Sequence, residues 1–319
     1  MKRCLVLASS FLLAALTFGQ DHRDLSGLPA IFVKSIRVHR TSRYSGERTV
    51  MFKKGADRLT HDEYVLKDGR KTRIEFPDGS DYKGQIIVEN EKQRMHYFPD
   101  RNEIEVEPRR DRDSNHFRFR PGDAERPKIT AVVKSGGTIA GFATQLVIVS
   151  DSNGNAVQQN WIEPKSGVVL RRVLFDKVGT QTGSFEFTRI NFTPRFEPGD
   201  FAIDRKGAAI ITPDIQANRA AKKLGLSTVK LMPGTGYQLE NARIIHPDNR
   251  EVLIRSYISD TGRFSLSQTK GQIDPARLQK LAKGRLSTYS WKQGGESFAL
   301  IGNLTQDQLQ QLARSFGDG

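Results

Sequence analysis

The chain has 319 residues, 37% of them hydrophobic and 27% charged, with a single cysteine and a formal net charge of +14. One cysteine excludes a disulfide framework, so stability must come from core burial, which a chain of this length achieves in two domains. A charge this positive would suggest nucleic acid in a cytosolic protein, but the first twenty residues argue against that partner.

Lys2-Arg3 is a short positive segment, Leu5 to Phe18 is apolar but too short to span a bilayer, and Thr17 and Gly19 are small. The pattern predicts a secretory signal peptide over residues 1–19, cleaved near Gly19, and a periplasmic location. Cys4 leaves with that segment, and so do Lys2 and Arg3, which leaves the mature chain at +12. In the envelope such a charge either points to acidic surfaces such as anionic lipid headgroups, wall polymers or an acidic protein partner, or only keeps the protein soluble, and it does not point to nucleic acid.

Between Leu25 and Arg43, the spacing of Leu28, Phe32 and Ile36, with Pro29 near the first turn, predicts a helix. Short strands follow over 48–52, 63–66, 72–76, 85–88, 94–98 and 103–106, separated by Asp68-Gly69, Asp78-Gly79, Asn90 and Pro99-Asp100. Strands and turns so regularly spaced predict an antiparallel meander. Arg109 to Arg126, where basic residues alternate with Asp111, Asp113 and Asp123, reads as a polar loop.

The run Gly136 to Phe187 predicts four consecutive antiparallel strands. Their apolar segments are Leu146 to Val149, Trp161-Ile162, Val168 to Phe175 and Phe185/Phe187. The links carry Asn153-Gly154, then Pro164 with Ser166-Gly167, then Gly179 and Gly183.

From Pro194 to Gly236 the pattern breaks around a basic helix, Asp214 to Leu224, stopped by Gly225, and residues 204–235 read as a linker. Beyond lie strands at Val252/Ile254, Phe264/Leu266, 286–291 and 297–301, with two helices. The first is capped by Asp274, with Pro275 at its first position, an Ile273–Leu278 staple and Gly284 at its end. The second opens on a Thr305-x-x-Gln308 capping box and presents Leu309, Leu312, Ala313 and Phe316 before Gly317, so both are expected to cover one face of a small sheet.

Catalytic equipment is sparse. Six histidines are scattered without metal-ligand spacing, and neither a G-x-S-x-G elbow nor a phosphate-cradling glycine loop occurs. Asp62-Glu63 and Glu103-x-Glu105-x-Glu107 are the acidic clusters. The latter reads as a solvated sheet face, and Asp151-x-Asn153-Gly154 as a hairpin and not a calcium loop. No enzyme, metal or cofactor is expected.

Several of these segments together resemble the MucB/RseB family of periplasmic sigma-factor regulators, whose large domain is similar to the carriers LolA and LolB. They are Tyr44-Ser45-Gly46, Asp62-Glu63-Tyr64, Lys67-Asp68-Gly69-Arg70, Thr72-Arg73-Ile74-Glu75, Tyr97-Phe98-Pro99, Ile139-Ala140-Gly141, Trp161-Ile162, Gly167 to Leu170 and Phe185-Glu186-Phe187. Gly236 to Leu239, Phe264 to Gln268 and Ile301 to Thr305 extend the resemblance into the C-terminal half.

The resemblance implies an α+β protein. Its large curved antiparallel half-barrel over residues 25–203 is covered by helices above an apolar cavity, and a small sheet-and-helix domain spans 236–317. It implies binding of a membrane-anchored anti-sigma factor, with acyl-chain ligands as the stress signal; the alternative is a lipoprotein or lipid carrier using the same cavity. Candidate lining residues are Ile36, Ile74, Phe76, Ile86, Val88, Met95, Tyr97, Leu146, Ile148 and Trp161. A one-position register error would swap their faces. The charged 108–127 segment departs from the family where a covering helix is expected.

Overall fold

The computed structural model describes residues 27–109 and 129–318, apart from Thr261, Pro275, Arg277 and 280–285. The expected signal peptide and nearly all of the charged 108–127 segment lie outside the described residues. The chain divides into two units, one running through Asn102 and resuming over Arg109–Gly207, the other made of Glu103–Pro108 and Ala208 onward.

The first unit opens with helix α1 (Ala30–Val38), within the expected 25–43 window. Strands β1 (Arg43–Lys54), β2 (Asp57–Asp68), β3 (Lys71–Glu75), β4 (Ile86–Glu89) and β5 (Gln93–Phe98) form the expected meander. Strand β6 (Glu103–Pro108) belongs to the second unit; β7 (Thr130–Ile139), β8 (Phe142–Ser150), β9 (Ala156–Ile162), β10 (Val169–Phe175) and β11 (Gln181–Asn191) complete the first. Within the first unit the hydrogen-bonded order is β5-β4-β3-β2-β1-β11-β10-β9-β8-β7, and in the second unit strand β12 (Ala209–Ile211) pairs in parallel with β6. Chain order and spatial order diverge where β1 pairs with β11, which places the two halves of the meander side by side.

Two hairpin links repeat one device. Asp151 Oδ1 accepts from the amides of Asn153 and Asn155, both at 2.9 Å, while Gly154 takes φ +83°. Asp176 Oδ1 accepts from Val178 (3.0 Å) and Thr180 (2.8 Å), with Gly179 at φ +80°. An aspartate that bonds the turn amides while glycine supplies the left-handed residue makes these reversals local in sequence. Gly183, expected from sequence in the third link with Gly179, lies instead inside β11, paired with Leu174 and Phe52.

Helix α1 lies on the sheet through Phe32, which is 2% exposed and packs on Val147, Val149 and Ile162. Lys34 Nζ fastens it to the β9–β10 link by donating to the carbonyls of Pro164 and Lys165, each at 2.7 Å. Gly167 allows that approach, since a Cβ there would meet Lys34 Cγ at 3.0 Å. Ile139 joins the core of Val50, Phe185 and Phe187, and Phe142 meets Phe192 edge-on at 5.1 Å, so the β7–β8 hairpin reaches β11, four strands away in sheet order.

In the second unit, helix α2 (Pro213–Leu224) matches the expected basic helix. Thr212 caps it, and Gly225 ends it at φ +60°, donating its N–H to the carbonyls of Ala221 and Lys222. The unit continues with β13 (Val229–Leu231), a five-stranded sheet of β14 (Gln238–Ile245), β15 (Val252–Ile258), β16 (Arg263–Thr269), β17 (Ser287–Gln293) and β18 (Glu296–Gly302), helix α3 (Gln306–Arg314) and β19 (Phe316–Asp318). Both sides of the Thr305–Gln308 capping box are made. Leu309 and Leu312 pack on Tyr257, Phe264, Leu266 and Phe298, the expected covering role. Phe316 does not extend that helix as expected; with Gly317 it pairs with Leu231 and Lys230 as a short strand. Of the expected 274–284 helix, Asp274 accepts from the amides of Ala276 and Leu278, while Pro275 and Gly284 lie outside the described residues.

Candidate functional site

Residues paired across strands share a face, so register fixes which side chains meet. Ile87, Ile74 and Val65 are consecutive partners on one face of the large sheet, continued through Arg48 with Glu63, Val50 with Phe185, Phe185 with Arg172, and Arg172 with Asn160. This is the face that α1 covers, called the inner face below.

Its centre is charged. Arg48 is 5% and Glu63 1% exposed, and Arg48 Nε and Nη2 both donate to Glu63 Oε2, at 2.8 and 2.6 Å. His61 Nε2 lies 2.9 Å from the other oxygen, Glu63 Oε1. Burial pushes the Glu63 carboxyl up, but the Arg48 charge and the bonds from His61 and Arg48 outweigh it and hold the group below the usual carboxylate range. The His61 ring is enclosed by Phe52, Phe76 and Tyr82, with centroids 6.0, 5.4 and 5.1 Å away, and its Nδ1 is buried without a hydrogen-bond partner among the described residues.

A second polar group lies along the same face. The guanidinium carbons of Arg48 and Arg172 stand 5.2 and 5.6 Å from the centroid of the Phe185 ring. Arg172 Nε donates to Asn160 Oδ1 at 3.0 Å, and Gln158 Nε2 donates to the same oxygen. Two donors on one oxygen fix the amide orientation. The opposite end, Asn160 Nδ2, is buried and has no partner among the described residues. Dehydration, followed by repulsion from Arg48, draws the Arg172 pKa down to about 10. Tyr44 is raised by burial, against the pull of Arg48 and Arg172.

The ten expected lining residues divide by register. Ile74 and Phe76 belong to the inner face, in one core with Val50, Phe185 and Phe187, and Ile36 packs with the α1 core. Ile86, Val88, Met95 and Tyr97 are on the opposite face with Arg73 and Glu75. Leu146 and Trp161 are partners there, in line with Arg171, which stacks 4.4 Å over the Trp161 ring; Ile148 is on that face too. Ile86 and Val88 are buried nonetheless, at 3% and 0% exposure. The 192–204 segment is stitched to that side where Arg73 Nη1 donates to the carbonyls of Asp200 and Ala202. A groove of about 330 Å³ opens there, lined in part by Tyr64, Leu66, Arg73, Glu75 and Phe196. The inner face is thus aromatic walls around buried polar groups, where the sequence led to the expectation of an apolar cavity.

Sequence reading passed over Arg48, Asn160 and Arg172, and named Glu63 only within an acidic cluster and a family-like segment. The available signal was parity: His61, Glu63 and Val65 alternate on one strand as Arg48, Val50 and Phe52 do on its neighbour, so charges occupy positions whose alternates are apolar. The Glu103-x-Glu105-x-Glu107 face is less solvated than expected, because Glu103 accepts from Arg219 Nη1 at 2.6 Å with its side chain 13% exposed.

The second unit has its own buried network. Arg255, 1% exposed, donates through Nη1 to Gln268 Oε1 at 2.5 Å, and Gln268 Nε2 donates to Glu296 Oε2, also at 2.5 Å. Glu296 accepts from the Ser227 amide (2.7 Å) and hydroxyl (2.8 Å), which ties the segment after α2 to the sheet. Among the described residues, no group of three or more His, Cys, Asp or Glu side chains could hold a metal, and no helix is long and apolar enough to cross a membrane.

No family model and no curated protein matches the chain. Solved structures similar to it include LolA-superfamily and MucB proteins. A LolA-superfamily protein from Nitrosomonas europaea has 8% identity, with 55% of this chain and 97% of that one covered, at a TM-score of 0.28. MucB in the complex structure of Pseudomonas aeruginosa MucA/MucB has 11% identity, with 90% and 99% covered, at a TM-score of 0.36; a crystal structure of MucB has 11% identity, 91% and 97% covered, at 0.39. Likeness at these values leaves the function to be argued from the chain's own residues.

Proposed function

We propose that this protein is a non-enzymatic envelope regulator that is exported by its leader, holds the extracytoplasmic part of a membrane-tethered anti-sigma factor, and responds to acylated ligands. The observation that carries the reading is the layout: a large antiparallel sheet with a helix on its inner face, followed by a small sheet covered by helix α3, in the order of the sequence segments that resemble the MucB/RseB family. A half-barrel over 25–203 and a small domain over 236–317 are part of the same proposal. A complex structure of Pseudomonas aeruginosa MucA and MucB is known.

The test is capture from envelope extracts with the tagged mature protein under gentle conditions, followed by mass spectrometry. A single-span membrane protein that carries a sigma factor on its cytoplasmic side is expected. Its absence from repeated captures counts against the reading.

A carrier of lipid or acylated protein is the second reading, favoured by the aromatic walls of the inner face around Phe76, Phe185 and Phe187. It requires an acyl ligand at one per chain in native mass spectra of detergent-free protein, and bare protein there argues it down.

A further inference from the structure

We propose that the inner face of the large sheet contains an oxyanion site, built by Asn160 and Arg172 beside the Phe185 ring, that takes a carboxylate or phosphate group. Asn160 is 0% exposed and its Nδ2 has no partner among the described residues, a donor that a folded chain rarely leaves unused in its interior. It cannot be rescued by turning the amide over, because Oδ1 already accepts from both Arg172 Nε and Gln158 Nε2.

The group at this point must therefore be an acceptor. The cation beside it selects a charged one, since bonds from guanidinium to a carboxylate or phosphate are roughly twice as strong as neutral ones. Register brings the parts together, because Arg172 is the cross-strand partner of both Asn160 on β9 and Phe185 on β11. Glu63, the carboxylate further along this face, is committed to Arg48 and His61 and does not compete for Asn160. Arg172 is only partly buried, so the cation of the pair keeps some surface in contact with solvent while Asn160 is enclosed. The aromatic wall of Phe185 and Phe187 next to these donors suits an anion that carries an apolar chain. That last feature rests on the acyl-ligand reading above; the oxyanion contact stands without it.

The experiment is calorimetric titration of the mature protein with dodecanoate, dodecyl phosphate and dodecanol below their micelle concentrations, and with inorganic phosphate and acetate against a chloride control. Both chain-bearing anions are expected to bind at least tenfold more tightly than dodecanol. Asn160→Asp should abolish the preference, because its second oxygen replaces the Nδ2 donor and repels an anion while the first keeps Arg172 and Gln158; that variant should fold and melt no lower than wild type. Arg172→Gln should lose the preference as well.

Binding of inorganic phosphate or acetate with no gain from the chain would keep the oxyanion site and remove the acyl reading. Equal binding of dodecanoate and dodecanol, unchanged anion binding by Asn160→Asp, or binding by none of the anions would overturn the site.

Discussion

Arg48 and Glu63 are direct partners across β1 and β2 and bury their charges together, with two guanidinium nitrogens on one carboxylate oxygen and His61 on the other. Such a pair adds little over an apolar replacement of equal volume, yet removing one member strands the other charge. Arg48→Met is expected to destabilise the fold by ~3–5 kcal/mol. Arg48→Met/Glu63→Leu should recover most of that loss. Urea unfolding of the single and double variants decides this, and an additive double variant would refute the coupling.

The same carboxylate gives an acid response. The folded pKa of Glu63 lies below its ordinary value of 4.5, so the stability it contributes is complete above that value and is lost as pH falls through the folded pKa. Wild type should lose stability below about pH 4.5 more steeply than Glu63→Gln, as read by denaturant midpoints at a series of pH values.

Lys67 acts in the alkaline range. Burial, aided by Arg109, lowers its pKa from 10.5 to about 8, against the pull of Glu89 and Asp68. Between these values the unfolded chain binds more protons than the folded one, so stability from this group rises with pH across that window. Wild-type stability measured relative to Lys67→Met is therefore expected to increase from pH 8 to 10, by ~1–3 kcal/mol. A flat difference would contradict the assignment.

Two local devices are open to direct test. Gly225 sits at φ +60°, where a Cβ would also meet Lys270 Nζ at 2.9 Å, so Gly225→Ala should cost ~1 kcal/mol. Thr305→Ala removes one side of a complete capping box at similar cost, about 1 kcal/mol. Thermal melts report both, and a loss of helical signal confined to the altered helix is not expected for either.

Phe32 joins α1 to the sheet. Truncation to Ala is expected to cost ~3–5 kcal/mol, because the ring is 2% exposed among Val147, Val149 and Ile162 and leaves a cavity there. Protease digestion should then cut near Ala30–Val38 sooner than in wild type.

Much of the local structure was legible because its causes are local. Asn153-Gly154 after Asp151, Gly225 after a basic amphipathic run, and Thr305-x-x-Gln308 each bring their hydrogen bonds within a few residues. The long strand β7 was not legible, since Gly136-Gly137 and Lys134 interrupt its apolar residues and Val132 and Val133 stay exposed. Face assignment failed for a different reason. Ile86, Ile87 and Val88 are all buried, so β4 lacks the alternation that marks an inner side. The Arg48–Glu63 pair was hidden because adjacent Asp62 is exposed, and the two residues alike read as a surface cluster until the fifteen-residue hairpin brings Arg48 opposite.

The most direct test of the regulator reading is titration of the mature protein with the purified extracytoplasmic segment of the membrane protein that the capture yields, followed by the same titration in saturating dodecyl phosphate. One segment should bind per chain, and the amphiphile should weaken that binding at least tenfold. A segment that fails to bind, or binds equally well with and without the amphiphile, would contradict the account.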